Sequence, residues 1–349
     1  MTDLSAESIL IKDIDTALEE RHRSEEEARE YLGASSVGHE CRRSIWLLFR
    51  WFGEQDKDGR TVRILRRGHN EERTILSDLF AANLVVRHCD KDQKRIEIAP
   101  HIAGHPDGII TSGLSGYEGD ILLEMKTHKS EMFRELLKEG VRGAFPQYYA
   151  QMQVYMHAEK LKHGLYVGVN KNDDTYYIEI IDYCERDALR YIKRGYSTVM
   201  DSRLPEPISD DPSFLTCKAK CSFHSFCHGQ VKALPQINCR TCAHSTALDT
   251  GEWRCERIAK DGIPLWRQRT GCKNHAIHTE LVEWTLDDEL STELEPAFII
   301  DDKVVINGAD SPEKFSSQEL VANPSACANA SSDDITMGLR KDMGAKIVG

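Results

Sequence analysis

Two short segments carry side chains that could hold a metal ion and activate a water molecule. GHPDGII contains Asp107, and ILLEMKTHK contains Glu124 and Lys126, separated by one residue. Side chains two residues apart on a β-strand point to the same face, so Glu124 and Lys126 should point together while Leu123 and Met125 pack the other way. If the two strands pair, Asp107 approaches Glu124. The spacing therefore predicts a site in which two carboxylates and a lysine converge.

The chemistry of such a site is metal-assisted hydrolysis. Mg²⁺ and Mn²⁺ prefer oxygen ligands, and the bound cation lowers the pKa of a water molecule and stabilises charge on a phosphate. A lysine beside it can orient the nucleophile, neutralise charge or assist proton removal. The competing interpretation of Glu124 and Lys126 is a surface ion pair on an edge strand, which the neighbouring motifs disfavour.

These segments resemble the PD and (D/E)XK elements of the PD-(D/E)XK nuclease superfamily. RRGHNEE, with Gly68 four residues before Glu72, is similar to the G-x-x-x-E helix of its RecB-like and lambda-exonuclease-like branches. QYYAQMQVY resembles their Q-x-x-x-Y helix through Gln151 and Tyr155. The four elements occur in the family's order over roughly residues 30–200, and the ordered set is far more specific than any one of them.

The resemblance implies a role for each matched residue. Glu72, Asp107, Glu124 and the backbone carbonyl of Met125 would hold Mg²⁺ or Mn²⁺, and Lys126 would act on the attacking water. The DNA-binding or site-bracing residues would be Gln147, Gln151, Tyr155 and His105. The helix bearing Gln147, Gln151 and Tyr155 could instead be only an amphipathic face, and His105 could touch phosphate or metal or be structural.

Four cysteines form a first candidate metal set. Cys217, Cys221 and Cys227 make a tight trio, and Cys41 lies upstream in SSVGHECRRSIW. The set resembles the four-cysteine iron–sulfur staple of AddB-type and CRISPR-associated RecB-like nucleases, which implies a 4Fe–4S cluster. The C-x3-C-x5-C spacing departs by one residue from their common C-x2-C-x5-C. Zinc is the main alternative, with His224 or His228 replacing a cysteine.

A second cysteine set follows. Cys239, Cys242, Cys255 and Cys272 have the ligand type and spacing of a small zinc-binding module, and buried unpaired thiols are the alternative. Trp253 and Trp266 lie among arginines there. They could stack on bases beside gripped phosphates, or they could form the core of the module.

The elements that position these residues can be read from apolar periodicity and turn signals. Residues 6–31 predict a charged amphipathic helix, and Ser35 and Ser36 predict caps for a buried helix in CRRSIWLLFRWF. The further predicted helices are Arg66–Leu84, Lys129–Glu139, Gln147–Lys160 and Glu185–Ser202, and the predicted strands are Gln93–Ala99, Ile102–Thr111, Asp120–Met125, Leu165–Val169 and Tyr176–Ile181. The order predicts an α/β fold, a restriction-endonuclease-like core with a mixed sheet flanked by helices.

Composition divides the chain into four parts. We predict a nuclease core over 1–205, the cysteine trio over 206–235, a zinc-binding-like module over 236–280, and a largely disordered acidic tail over 281–349 with a short strand at Asp302–Ile306. The net charge is −12, but the cysteine-rich part is basic, which suits contact with nucleic acid. Eleven cysteines favour metal binding over disulfides in a reducing compartment.

The sequence also predicts where the protein works. Its amino-terminal segment lacks a secretory signal, and no apolar run could cross a bilayer, so we expect a cytoplasmic protein of a bacterium or a phage-infected host. The predicted function is a metal-dependent DNA exonuclease that processes ends for recombination or repair, with a single-strand annealing or binding protein as a partner and the acidic tail as its docking segment. The alternatives are a nuclease-fold module that binds DNA ends or single strands without cleavage, and a metal- or redox-sensing regulator.

Overall fold

The computed structural model describes residues 6–25, 29–53, 57–229 and 233–348. The chain divides into two compact units, which are treated separately below. Unit 1 comprises residues 1–39 and 55–196, and unit 2 comprises residues 40–54 and 197–349. All four predicted nuclease motifs fall in unit 1, and both cysteine sets fall in unit 2.

Both units contain helices and strands, as expected for a mixed α/β protein. The helices are α1 (Ala6–Glu25), α2 (Arg42–Phe49), α3 (Gly59–Ala81), α4 (Ser130–Ala144), α5 (Pro146–Glu159), α6 (Glu185–Val199), α7 (Leu215–Lys220), α8 (His224–His228), α9 (Leu265–Thr270), α10 (Ser317–Ala322), α11 (Pro324–Ser331) and α12 (Asp334–Met343). The strands are β1 (Leu32–Gly33), β2 (Val85–Arg87), β3 (Ile96–Ala99), β4 (Ile102–Gly104), β5 (Gly108–Ser112), β6 (Ile121–His128), β7 (His163–Asn170), β8 (Tyr176–Asp182), β9 (Ser245–Ala247), β10 (Trp253–Cys255), β11 (Thr285–Leu286), β12 (Ala297–Ile300) and β13 (Lys303–Ile306).

A five-stranded mixed sheet forms the centre of unit 1. Its order is β2-β5-β6-β7-β8, with β6 and β7 parallel and the other neighbours antiparallel. The connection from β6 to β7 runs through α4 and α5, because parallel neighbours need a crossover of this kind. Gly108 pairs with Leu123 in the antiparallel β5–β6 ladder. The preceding residue, Asp107, is thereby brought level with Glu124.

The apolar core of unit 1 lies between this sheet and α3. Leu123 and Met125 are buried in it with Ile75 and Leu79 of α3, together with apolar residues of β7. Since side chains alternate along a strand, Glu124 and Lys126 leave the sheet on the opposite side. The burial of Leu123 and Met125 therefore confirms the predicted orientation of this strand.

One predicted strand is in fact two. Residues Ile102–Thr111 were expected to form a single strand, but the structure breaks it at residues 105–107. β4 joins a separate three-stranded sheet of order β1-β4-β3, while β5 joins the central sheet. The break gives Asp107 a position at the end of β5, where its side chain can leave the ladder.

Several helix boundaries also differ from the prediction. Ser35 and Ser36 do not cap α2: they lie in a 3-10 helix, and Cys41 occupies the cap position without a side-chain hydrogen bond. α3 begins at Gly59, because the Asp58 carboxylate accepts a 2.7 Å hydrogen bond from the Thr61 amide. Strand β2 was not predicted. The last residues of the predicted 6–31 helix include 26–28, which lie outside the described residues.

The acidic carboxyl-terminal part of unit 2 is folded, which corrects the prediction of a largely disordered tail. β11, β12 and β13 form an antiparallel sheet, and α10–α12 follow it. Phe298, Val305, Phe315 and Leu320 are buried in a shared apolar core. The expected short strand at Asp302–Ile306 is confirmed as β13. The many acidic residues at the surface dominate the composition of this segment, so its buried apolar residues were not recognised as a core from the sequence.

None of the helices in the described segments is long and apolar enough to pass through a membrane.

Candidate active site

Asp107 is anchored to the neighbouring strand. Its Oδ2 accepts a 2.7 Å hydrogen bond from the backbone amide of Met125, and the residue is only 8% exposed. The bond forms because Asp107 lies one residue beyond the last β5–β6 pair. The structure thus brings together the two segments that sequence analysis selected, with Asp107 directed at β6.

The ammonium group of Lys126 is surrounded by three oxygens. It is ion-paired with Glu124 Oε1, lies 3.6 Å from Asp107 Oδ2, and donates a 3.1 Å hydrogen bond to the carbonyl of Met125. These are three of the four groups that the family resemblance assigns to the divalent cation. The three oxygens converge on one point, and the Lys126 ammonium occupies that point.

Glu124 is the most deeply buried acidic group of the site, with no exposed surface. Gln151 of α5 donates a 3.2 Å hydrogen bond to its Oε2, while Oε1 is ion-paired with Lys126 but accepts no well-formed hydrogen bond. Burial raises the pKa of Glu124; Lys126 opposes this rise, and the charge of Asp107 adds to it. A buried carboxylate in this state is stabilised by an additional cation.

Glu72 adds a third carboxylate from α3. Burial and the neighbouring charge of Asp107 raise the pKa of Glu72, and Lys126 partly offsets the rise. Lys126 responds in the opposite sense: burial lowers its pKa, but Asp107 and Glu124 more than compensate and hold it well above the usual value. Three carboxylates against one ammonium leave a formal charge of −2, which a divalent cation would neutralise.

The other predicted DNA-contacting residues fall in different surroundings. Tyr155 is 2% exposed, and burial and then the charge of Glu124 raise its pKa, so it borders the acidic centre. Gln147 instead donates a 2.7 Å hydrogen bond to the Ser35 carbonyl and braces that segment. His105 is exposed and hydrogen-bonded to the Tyr31 hydroxyl at 3.3 Å.

The surroundings of His105 carry charges of both signs. Burial lowers its pKa, Arg29 and Arg95 lower it further, and Glu97 partly opposes them. Arg95 lies over the Tyr31 ring at 4.4 Å from the centroid and is ion-paired with Glu97. The phosphate, metal and structural roles considered for His105 therefore stay predictions.

Sequence analysis missed an aromatic cluster beside Lys126. His128 is fully buried, is hydrogen-bonded to the Tyr166 hydroxyl at 2.7 Å, and stacks on Phe145 at 4.7 Å. Tyr148 stacks on Tyr166 and lies under the Lys126 ammonium at 5.6 Å. His128 follows Lys126 by two residues on the same strand face, so the alternation that identified Lys126 could have identified it as well.

The first cysteine set lines one cavity of unit 2. It is a small, partly open pocket, and Cys41, Cys217, Cys221 and Cys227 line it together with His224 and His228. Burial raises the pKa of Cys217, and the other three thiols raise it further. The predicted partners are therefore near one another, although Cys41 is remote in sequence.

The four cysteines of the second set also lie close to one another. Burial raises the pKa of Cys239 to about 12, with further contributions from Cys242, Cys272 and Cys255. Nearby, the two tryptophans differ: Trp253 is 1% exposed and Trp266 is 61% exposed. Trp253 is thus part of the core, whereas Trp266 remains available at the surface.

The acidic centre and the two cysteine sets supply atoms of the kinds that bind metals. In the part of the chain that the structure describes, these atoms are not already arranged as a coordination shell. Within the described ranges, no three or more His, Cys, Asp or Glu side chains already lie together as the ligands of a metal ion would. Oxygen donors with a surplus negative charge suit Mg²⁺ or Mn²⁺, and thiolates suit zinc or iron. The donor types of the three sets match these metals.

Comparisons with known proteins give distant structural similarity only. No protein-family model matches the chain, and no curated protein matches it. An alkaline exonuclease (LHK-Exo) from Laribacter hongkongensis is similar at 15% identity, with a TM-score of 0.34 over 54% of this chain and 90% of that one, and its complex with dAMP gives the same values. A protein named SSO0001 is similar at 17% identity, with a TM-score of 0.41 over 65% of this chain and all of that one. At such scores the function has to be argued from the site itself.

Proposed function

We propose that unit 1 is a metal-dependent DNA nuclease of the PD-(D/E)XK type. The observation that carries the proposal is the convergence of Glu124 Oε1, Asp107 Oδ2 and the Met125 carbonyl on the Lys126 ammonium, where the interior strands β5 and β6 pair. An ordinary surface ion pair does not bury a glutamate completely or surround it with two further carboxylates.

Each residue has a role in hydrolysis of a phosphodiester. Glu72, Asp107, Glu124 and the Met125 carbonyl would hold Mg²⁺ or Mn²⁺, which supplies an acidified water and neutralises charge on the phosphate. Lys126 is placed to orient the attacking water and to offset negative charge at the reacting phosphate. Gln151 holds Glu124 in place through its Oε2.

The deciding experiment is cleavage of labelled linear and circular DNA with Mg²⁺, with Mn²⁺ and with EDTA. We expect cleavage that needs the metal and is reduced by at least about 100-fold in Glu124→Gln and Lys126→Ala. Gln147→Ala serves as the control, because its amide binds the Ser35 carbonyl and not the acidic centre. Unchanged activity in both site variants would reject the assignment, and tight DNA binding without cleavage in any metal would favour the binding-module alternative.

The finer proposal is an exonuclease that processes DNA ends for recombination or repair, with a single-strand annealing or binding protein as a partner. It is supported only by the motif resemblance. Degradation of linear but not circular DNA, followed by mononucleotide release from one labelled end, is the expected result. Nicking of closed circles at a comparable rate would replace the exonuclease with an endonuclease.

We also propose that the cavity of Cys41, Cys217, Cys221 and Cys227 holds a 4Fe–4S cluster, and that Cys239, Cys242, Cys255 and Cys272 hold zinc. Four thiols that line one small pocket support the first, and four thiols that influence one another's charge support the second. Protein purified without oxygen should be brown, bleach on oxidation and contain zinc by elemental analysis. Colourless protein with two zinc ions per chain would assign zinc to both sets.

A further inference from the structure

Three cations stand together at the carboxyl ends of the parallel strands of unit 1. Lys129 directly follows β6, Lys171 directly follows β7, and Arg67 lies on α3. Parallel neighbours end at the same edge of a sheet, so Lys129 and Lys171 share that edge. Lys129 comes three residues after Lys126, about 10 Å along the strand direction, and Arg67 comes five residues before Glu72, about 7.5 Å along the helix axis. The group therefore lies beyond the acidic centre, toward the ends of the two strands.

The position of this group is fixed by backbone hydrogen bonds. Arg67 Nη2 donates a 2.9 Å hydrogen bond to the Lys171 carbonyl, and the Lys171 amide donates a 3.0 Å hydrogen bond to the His128 carbonyl. Asn170 reinforces the edge, since its Oδ1 accepts a 3.3 Å hydrogen bond from the Ser130 hydroxyl. The cations therefore lie on a rigid edge and not on an extended loop.

The three side chains are not held in ion pairs. Within the described segments, none of them pairs with a carboxylate. The two acids of the same turn, Asp173 and Asp174, do not pair with them either. Burial lowers the pKa of Lys171, and Lys129 and Arg67 lower it further. Mutual repulsion of this kind is relieved by a bound anion.

We propose that Arg67, Lys129 and Lys171 bind a phosphodiester of the DNA backbone other than the one that is cut. This inference rests on the proposed nuclease function and adds where the substrate strand runs beyond the acidic centre. The guanidinium of Arg67 offers a fork for phosphate oxygens while the two ammonium groups act as point charges. A phosphate held here fixes the register of the strand, so that a phosphate further along it meets the acidic centre.

The test is DNA affinity as a function of salt concentration. A short fluorescein-labelled duplex and the corresponding single strand are titrated by fluorescence anisotropy, with Ca²⁺ in place of Mg²⁺. Arg67→Ala, Lys129→Ala, Lys171→Ala and the triple variant are compared with wild type. Loss of this one phosphate contact in the triple variant should reduce the slope of log K against log[salt] by about 0.9 on duplex DNA and lower affinity by about eightfold at 0.1 M salt, and each single variant should show part of this effect.

The matched control is Lys162→Ala. Lys162 is exposed and immediately precedes β7, whereas Lys171 follows it. The substitution therefore removes one positive charge at the other end of the strand, about 30 Å from Lys171. We expect affinity and salt slope within twofold of wild type. Thermal unfolding of every variant establishes that folding is intact, and steady-state cleavage should show a raised KM with kcat retained at saturating DNA.

The outcomes separate this inference from the proposed function. If wild type binds and cuts DNA but the triple variant keeps its affinity and salt slope, the phosphate site is rejected and the nuclease remains. If the triple variant weakens binding no more than Lys162→Ala does, the same conclusion follows. If wild type neither binds nor cuts DNA in any metal, the proposed function fails and the phosphate site fails with it.

Discussion

The backbone amide of Met125 holds Oδ2 of Asp107 at 2.7 Å, so this carboxylate is positioned by β6 although it belongs to the segment before β5. The same oxygen lies 3.6 Å from the Lys126 ammonium. This one oxygen atom therefore both anchors the chain to β6 and contributes negative charge beside Lys126. Substitution of Asp107 can separate the hydrogen bond from the charge.

Asp107→Asn should abolish cleavage while leaving the fold intact. The amide oxygen can still accept from Met125, so we expect a change in unfolding free energy of under about 1 kcal/mol but a loss of at least about 100-fold in cleavage rate. Asp107→Ala also removes the acceptor and should cost about 1–3 kcal/mol. Urea unfolding and DNA cleavage measure the two effects; equal stability losses in both variants would contradict this separation.

Gln151 and Gln147 should behave differently although they lie on one helix. Gln151→Leu removes the amide that donates to the buried Glu124, so we expect a stability loss of about 1–3 kcal/mol and reduced cleavage. Gln147→Leu removes the bond to the Ser35 carbonyl, and we expect a smaller stability loss with cleavage retained. Parallel measurement of unfolding and cleavage decides; similar cleavage losses in both would show that the whole helix face contacts DNA.

A close approach links Gly104 to Tyr155. A Cβ at position 104 would collide with the Tyr155 hydroxyl. Gly104→Ala should therefore displace Tyr155 from the border of the acidic centre, at a cost of about 1–3 kcal/mol and with reduced cleavage.

Tyr155→Phe provides the compensating change. In the double variant Gly104→Ala/Tyr155→Phe, removal of the hydroxyl should restore part of the lost stability, as measured by thermal unfolding. Additive losses in the double variant would mean that Gly104 is constrained by something other than Tyr155.

His128 should make stability depend on pH. Burial lowers its pKa to about 4, with Lys126 and Lys171 contributing, against 6.5 for an ordinary histidine. Between these values the unfolded chain binds a proton that the folded protein does not, so stability falls as the pH drops from 6.5 towards 4, by up to about 3 kcal/mol. His128→Phe keeps the stacking on Phe145 and should flatten this dependence in urea unfolding at a series of pH values. Wild type and variant curves that stay parallel would exclude His128 as the cause.

The buried ion pair of Glu319 and Arg340 should hold the carboxyl-terminal part of unit 2 together. Both side chains are 5% exposed, and Arg340 also donates to the Lys314 carbonyl at 2.8 Å. Arg340→Ala leaves a buried carboxylate without its partner, at an expected cost of about 3–5 kcal/mol. Limited proteolysis with mass spectrometry should leave residues 285–343 intact in wild type and cut them in the variant; rapid cutting in wild type would contradict the folded arrangement.

Local sequence patterns predicted most of unit 1. The alternation around Glu124 and Lys126 gave the correct face of β6, and the predicted helix Gln147–Lys160 agrees with α5 to within one residue at each end. These features depend on residues close together in the chain. The division of residues 102–111 between two sheets could not be predicted, because it depends on strand partners that are distant in sequence.

The errors have a similar physical origin. The tail was predicted as disordered because its acidic surface dominates its composition, while Phe298 and Phe315 are too far apart to show one core. Likewise, nothing local marks His128 as a neighbour of Phe145 and Tyr166. Tertiary contacts determine which of these residues are buried together. The periodicity of a single sequence reflects local structure only, so it does not contain these contacts.

The parallel pairing of β6 with β7 sets an order of events during synthesis. β6 carries Glu124 and Lys126, but its partner is separated from it by α4 and α5, so the ladder cannot close until residue 170 has been made. Non-local pairing of this kind is slow compared with helix formation. A nascent chain that ends before β7 therefore already contains Asp107, Glu124 and Lys126 but lacks the strand that covers the other side of β6, so the sheet around these residues is completed only after the crossover has docked.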